Sequence, residues 1–141
     1  MKRFSKIKRL ATVCLIGATL LGVAGGTVSA EKNKFSYSFN IKANYGNDYS
    51  KEYYRQTTNL NNRWMVDLQS STEGDGTYTT FWLDKSGTRV SEPHDVKQGS
   101  GRHLYKAYST ANKKYVRLGG ENNNYSSNTY TATGKWDEEG W

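Results

Sequence analysis

Cysteine is almost missing from this chain: the single thiol is Cys14, and residues 31–141 contain none. That segment therefore has no disulfide framework, no cysteine nucleophile and no thiolate metal site. Histidine is limited to His94 and His103. They form no metal-spaced cluster, so a histidine zinc site is unsupported and a Cys–His pair is impossible; no metal and no cofactor is expected. No Gly-x-Ser-x-Gly elbow is present to hold a nucleophilic serine. Proline occurs once, as Pro93. Long hydrophobic runs are also missing. The most apolar stretch, Leu10 to Val23, falls short of the ~20 residues a spanning helix needs and is interrupted by Gly17 and Gly22, with Gly25 and Gly26 just beyond.

What that stretch does fit is a secretory signal. Lys2, Arg3, Lys6, Lys8 and Arg9 make a basic start with no acid among them, the apolar run follows, and Val28-Ser29-Ala30 supplies small residues before Glu31. Residues 1–30 are thus read as a leader that engages the export machinery and is removed by signal peptidase, leaving no stable membrane anchor. Cys14 follows Val13 and comes early in the run, which argues against lipid attachment there. The expected location is secreted, extracellular or associated with the cell wall. Of the 20 basic residues five belong to the leader, while all 13 acids lie beyond it, so 15 against 13 remain and the net charge falls from +7 to +2. A charge that small does not support a nucleic-acid partner.

Residues 31–141 are expected to form one domain with one core. All 11 tyrosines and four tryptophans lie there with Phe35, Phe39 and Phe81, against only ten Ile, Leu and Val. Rings must therefore build much of the core, and those left outside offer a recognition surface, because Tyr and Trp combine an apolar body with a polar edge. The hydrophobic period is two. Phe35, Tyr37, Phe39, Ile41, Ala43 and Tyr45 alternate with polar residues, and Trp64, Val66 and Leu68 alternate with Arg63, Met65, Asp67 and Gln69. Thr77 to Leu83 carries bulky residues on both sides, which places it centrally. Asp84-Lys85-Ser86-Gly87 reads as a tight turn returning through Thr88 to Ser91. Arg102 to Tyr108 and Lys113 to Leu118 read as a second hairpin, Gly119 to Asn124 as a loop, and Asn128 to Trp136 as a last strand. Gly46 to Leu60 is ambiguous between strand and a short helical turn, since tyrosines recur there every four residues. The expected fold is all-β: a single antiparallel β-sandwich or partly closed barrel of seven to eight strands.

Candidate chemistry is sparse. Asp67, Glu73, Asp75 and Glu121 are the acids considered for a carboxylate pair, the minimum a glycoside hydrolase needs. Glu73 and Asp75 flank Gly74 in a turn, where acids serve local backbone bonding. Neither that turn nor Asp137-Glu138-Glu139 has the ligand spacing of a calcium loop.

The runs Tyr54-Arg55-Gln56-Thr57-Thr58-Asn59, Asn62-Arg63-Trp64-Met65-Val66, Gly76-Thr77-Tyr78-Thr79-Thr80-Phe81-Trp82-Leu83, Val96-Lys97-Gln98-Gly99-Ser100-Gly101 and Glu121-Asn122-Asn123-Asn124 resemble small exported proteins of Gram-positive bacteria grouped as domain-of-unknown-function family 2712. The resemblance spans nearly all of residues 31–141. It implies an extracellular protein and transfers no functional residue. In size, export and lack of cysteine only, the chain is similar to bacteriocins of the lactococcin 972 type, with none of their residue motifs.

Three functions follow as expectations. The first is a non-enzymatic secreted protein that binds cell-wall glycan or a surface protein through exposed rings, with Tyr49, Tyr53, Tyr54, Arg55, Trp82, Tyr125 and Trp136 as candidate contacts. The second is a bacteriocin-like protein acting on competing cells, although no basic amphipathic helix is visible. The third is a carboxylate-dependent hydrolase, which requires a cleft holding two acids, one with a raised pKa.

Overall fold

The computed structural model describes residues 35–140; the leader proposed for residues 1–30 and its cleavage site lie outside the described residues. Ten strands follow in order: β1 (Phe35–Ile41), β2 (Asp48–Tyr49), β3 (Tyr53–Arg55), β4 (Trp64–Ser71), β5 (Tyr78–Lys85), β6 (Thr88–Arg89), β7 (His94–Lys97), β8 (Arg102–Tyr105), β9 (Lys114–Asn122) and β10 (Tyr130–Asp137). A single 3₁₀ turn, Ser109–Ala111, precedes β9. Among the described residues no helix is long and apolar enough to cross a membrane.

The strands form two antiparallel sheets packed face to face. The first has the order β1-β10-β4-β8. In the second, β9 and β5 are central neighbours; β2 and β3 both pair with the far side of β9, and β6 and β7 both pair with the far side of β5. Each outer strand of the second sheet is thus broken into two short pieces. Pro93, which has no backbone N–H for a ladder, lies in the break between β6 and β7.

Alternation explains most of the core. Tyr37, Phe39 and Ile41 from β1, Trp64, Val66 and Leu68 from β4, and Ala132 and Trp136 from β10 face Phe81, Leu83, Val96, Val116 and Leu118 of the second sheet, all buried. Burying such side chains contributes about 1.5–3 kcal/mol each. The buried Tyr37 hydroxyl donates to the Asp67 carbonyl at 3.0 Å, and the Thr79 and Tyr130 hydroxyls meet at 2.8 Å, so these tyrosines keep partners for their polar edges, whereas the Trp136 indole N–H is buried without one. Burial raises the Tyr37 phenol well above its ordinary value, with the nearby Asp67 charge acting in the same sense.

The all-β sandwich, the first strand, the central position of β5 and the β5–β6 turn agree with the sequence reading. In that turn Ser86 (φ 52°) and Gly87 (φ 90°) are both left-handed, as a two-residue hairpin requires. Several other readings are corrected. Gly46 to Leu60, ambiguous from the sequence, holds the short strands β2 and β3 and no helical turn. The expected hairpin of Arg102 to Tyr108 with Lys113 to Leu118 does not exist: β8 pairs with β4 in the first sheet and β9 with β5 in the second. Gly119 and Gly120 are not loop but the middle of β9. A Cβ on Gly119 would stand 2.5 Å from the Trp82 ring and one on Gly120 2.7 Å from Phe39, so the glycines make room for rings on the two faces of the sheet. Met65, expected on a wet face, is buried beneath Leu104 and Gly140.

Candidate functional site

The outer face of the second sheet collects the side chains best placed to meet a ligand. Register sets its membership: Tyr54 pairs with Tyr115, Tyr49 with Gly119, Trp82 with Gly119, Asp84 with Arg117 and with Arg89. Successive outward residues on β9 are about 7 Å apart, so Tyr115, Arg117, Gly119 and Glu121 form one row along its length.

Trp82 lies at the centre of this face yet is buried. Gly119 leaves space for its indole, Tyr49 packs edge-on with centroids 6.3 Å apart, and the Arg89 guanidinium lies 4.1 Å over the ring. Arg117 in turn lies 3.8 Å over Tyr49 and bonds through Nε to Asp84 Oδ2 at 2.9 Å, an oxygen that also accepts the Gly87 N–H at 2.9 Å. Arg89 pairs with Glu121 at 3.2 Å, and the Asn47 side-chain amide stands 3.1 Å from the Tyr49 hydroxyl. Two cation–π contacts, each contributing about 0.5–1 kcal/mol where exposed and more where desolvated, fix these rings and guanidinium planes in place. At the end of the face where β9 begins, Tyr54 and Tyr115 meet with centroids 5.2 Å apart at 60° and remain 42% and 61% exposed. The arrangement offers apolar ring faces next to oriented N–H donors, and requires no rearrangement of the sheet to present them.

Of the seven expected contact residues, Tyr49, Tyr54 and Trp82 share this face. Trp82 is corrected as a contact: its ring is the buried floor that holds Tyr49 and Arg89. Tyr125 is 69% exposed but lies in the loop after β9, beside Tyr45 with centroids 5.4 Å apart. Tyr53 points toward the other side of the sheet, stacked on Phe35 at 3.5 Å and edge-on to Trp136. Trp136 and Arg55 are also corrected. Trp136 belongs to the core between the sheets, and Arg55, fully buried, has its guanidinium turned inward to donate to the backbone carbonyls of Glu138 and Asn62.

The setting of Arg55 was not legible locally, because its partners are 83 and 7 residues away. Asp137, Glu138 and Glu139 are all buried against it; Glu139 accepts the Thr57 N–H at 2.5 Å, and Asp137 accepts the Glu139 N–H at 2.8 Å. Burial raises the Asp137 and Glu138 carboxyls above the ordinary carboxylate range, and their contact with each other favours a shared proton. Burial also lowers the Arg55 guanidinium, opposed by Glu139, Glu138 and Asp137. The acids singled out from sequence do not assemble: Asp67 contacts Gln69, Glu121 pairs with Arg89, and Glu73 and Asp75 stay exposed in their turn. Among the described residues no group of three or more His, Asp or Glu side chains is positioned to hold a metal ion.

Tyr115, Arg89 and Arg117 were missed as site residues. The alternation of Tyr115, Arg117, Gly119 and Glu121 with Val116, Leu118 and Gly120 was the available signal, obscured by reading the glycine pair as a loop.

The family described as protein of unknown function (DUF2712) matches residues 26–140. Neither the curated proteins nor the solved structures contain a match to the chain.

Proposed function

This chain belongs to the DUF2712 family of proteins of unknown function, and we propose that it is a secreted, non-enzymatic module that binds cell-wall glycan on the outer face of its second sheet. The exposed Tyr54–Tyr115 pair, continuous with the Arg117–Tyr49 and Arg89–Trp82 stacks, is the observation that carries the reading. A sugar presents an apolar C–H face to a ring and hydroxyls to guanidinium or amide groups, and this face supplies both within one row. Its ligand contacts are Tyr54, Tyr115, Tyr49, Arg117 and Arg89. The basic, apolar and small segments of residues 1–30 support export. A hydrolase would have its acid pair in Asp137 and Glu138, but both are buried, so the sheet face is the better-supported site.

Co-sedimentation of the purified protein with isolated Gram-positive wall sacculi tests the proposal. Pelleting is expected to persist at about 1 M salt, where exposed charges separated by more than ~3 Å are screened. Y54A/Y115A is expected to weaken it by about tenfold, from about 0.5–1.5 kcal/mol per ring beyond area burial. Protein that stays in the supernatant at both salt concentrations, or a double variant that pellets normally, would overturn the reading.

A further inference from the structure

At the end of the second sheet where β9 begins, a depression of about 610 Å³ is lined by Lys85, Ser86, Thr88, Arg89, Thr110 and Lys114. Two strands deliver its ammonium groups, Lys85 at the end of β5 and Lys114 at the start of β9, while Arg89 at the end of β6 turns its guanidinium onto Trp82 and Glu121. Asp84 pairs with Arg117 across β5 and β9, so continuing the register outward brings the β5–β6 turn level with Lys114. The left-handed Ser86 and Gly87 bend that turn tightly enough for Lys85 to stand opposite Thr88.

No carboxylate lines the depression. Among the described residues Lys85 and Lys114 make no ion pair, and Arg89 commits a single nitrogen, at 3.2 Å, to Glu121. Tyr108, also in the lining, donates its hydroxyl to Glu92. Like charges gathered without a counter-ion repel one another, and an anion between them relieves that repulsion. Two ammonium groups arriving from different strands, with hydroxyls at Ser86, Thr88 and Thr110, surround a ligand from several directions. That suits a tetrahedral oxyanion, whose oxygens point all ways, better than a planar carboxylate, which favours the fork of a guanidinium.

We propose that this depression is a phosphate subsite, and that the ligand of the sheet face is a phosphodiester-linked chain of sugars or polyols. Its phosphate sits between Lys85 and Lys114 while the adjoining sugar or polyol unit reaches round the end of the sheet to Tyr54 and Tyr115. Lys114 and Tyr115 are consecutive and point to opposite sides of β9, so the two groups meet at the end of the sheet where β9 begins. The subsite stands on its own residues; the assignment of a shared polymer rests on the reading of the preceding section.

The test is titration of the ¹⁵N-labelled protein with inorganic phosphate at constant ionic strength, against chloride. Saturable shifts are expected in the amides of residues 85–89 and 110–114. K85Q/K114Q, which changes two surface ammonium groups, should weaken phosphate binding by about tenfold or more, while K42Q/K135Q should leave it unchanged. Shifts no larger than those of chloride, or undiminished in K85Q/K114Q, would overturn the subsite. Soluble poly(glycerol phosphate) is then compared with vesicles containing phosphatidylglycerol. Polymer binding weakened by both double variants supports the shared ligand; a preference for vesicles, or polymer binding indifferent to Y54A/Y115A, overturns it. Phosphate binding lost in K85Q/K114Q while sacculus pelleting ignores Y54A/Y115A would separate failure of the aromatic reading from failure of the subsite.

Discussion

Replacing Arg55 with methionine keeps a long side chain in place but removes the guanidinium that ties β3 to Asn62 and to the acidic segment after β10. Two backbone carbonyls lose charged donors, each such bond contributing about 1.5–3 kcal/mol. Removing one member of a buried charged group also leaves the opposite charges uncompensated, and such changes cost about 3–5 kcal/mol in total. A domain of this kind has about 5–15 kcal/mol of stability, so R55M is expected to lose a large part of it. Urea unfolding followed by tryptophan fluorescence should show a midpoint lowered by ~1 M or more with an unchanged slope. R55K keeps the charge but not the fork, and should fall between the wild type and R55M. The penalty should shrink in mildly acidic buffer, where the Asp137 carboxyl, raised by burial to about 6, takes up a proton and the uncompensated charge fades. An R55M protein within about 1 kcal/mol of wild type at neutral pH, or a penalty that grows on acidification, would refute this account.

Stability should decline as pH rises. The folded state holds the Asp137 and Glu138 carboxyls above their ordinary range and so binds more protons than the unfolded chain; their contribution is fully present below about pH 4 and is lost as pH climbs through the raised values. Urea midpoints measured from mildly acidic to mildly alkaline buffer check this, and D137N/E138Q should flatten the profile. G119A should cost about 1–3 kcal/mol by forcing a methyl group against Trp82, and W82L should recover part of that loss in the double variant; additive losses in a double-mutant cycle would contradict the packing argument.

Strand character was legible wherever neighbours in sequence determine the environment. β1 alternates because one face meets the core and the other solvent, and β5 is bulky on both sides because Phe81 enters the core while Trp82 lies under Arg89 and Tyr49. Pairing across the molecule was not legible. Arg102–Tyr105 and Lys114–Asn122 resemble a hairpin locally, and only the two-sheet arrangement separates them. Gly119 and Gly120 carry the usual signal of a loop, whereas their cause is the rings of Trp82 and Phe39. The acidic run Asp137-Glu138-Glu139 reads as a solvated end until Arg55 is brought beneath it. Of the sheet-face site, Tyr49 and Tyr54 were legible as aromatic candidates; Tyr115, Arg117 and Arg89 acquired their roles from register.

The position of β10 also governs when the protein can fold. This strand comes last of the ten yet sits inside the first sheet, between β1 and β4, and it is the ladder partner of β1 from Phe35↔Trp136 to Ile41↔Tyr130. Until residues 130–137 are present, the opening strand has no ladder partner and Trp136 is missing from the core. A growing chain therefore gains little by collapsing early, since its loop-closure entropy is not yet offset by the final pairing. Synthesis and completion of the fold are therefore separated in time, since β1 and β4 are joined in one sheet only through the last strand.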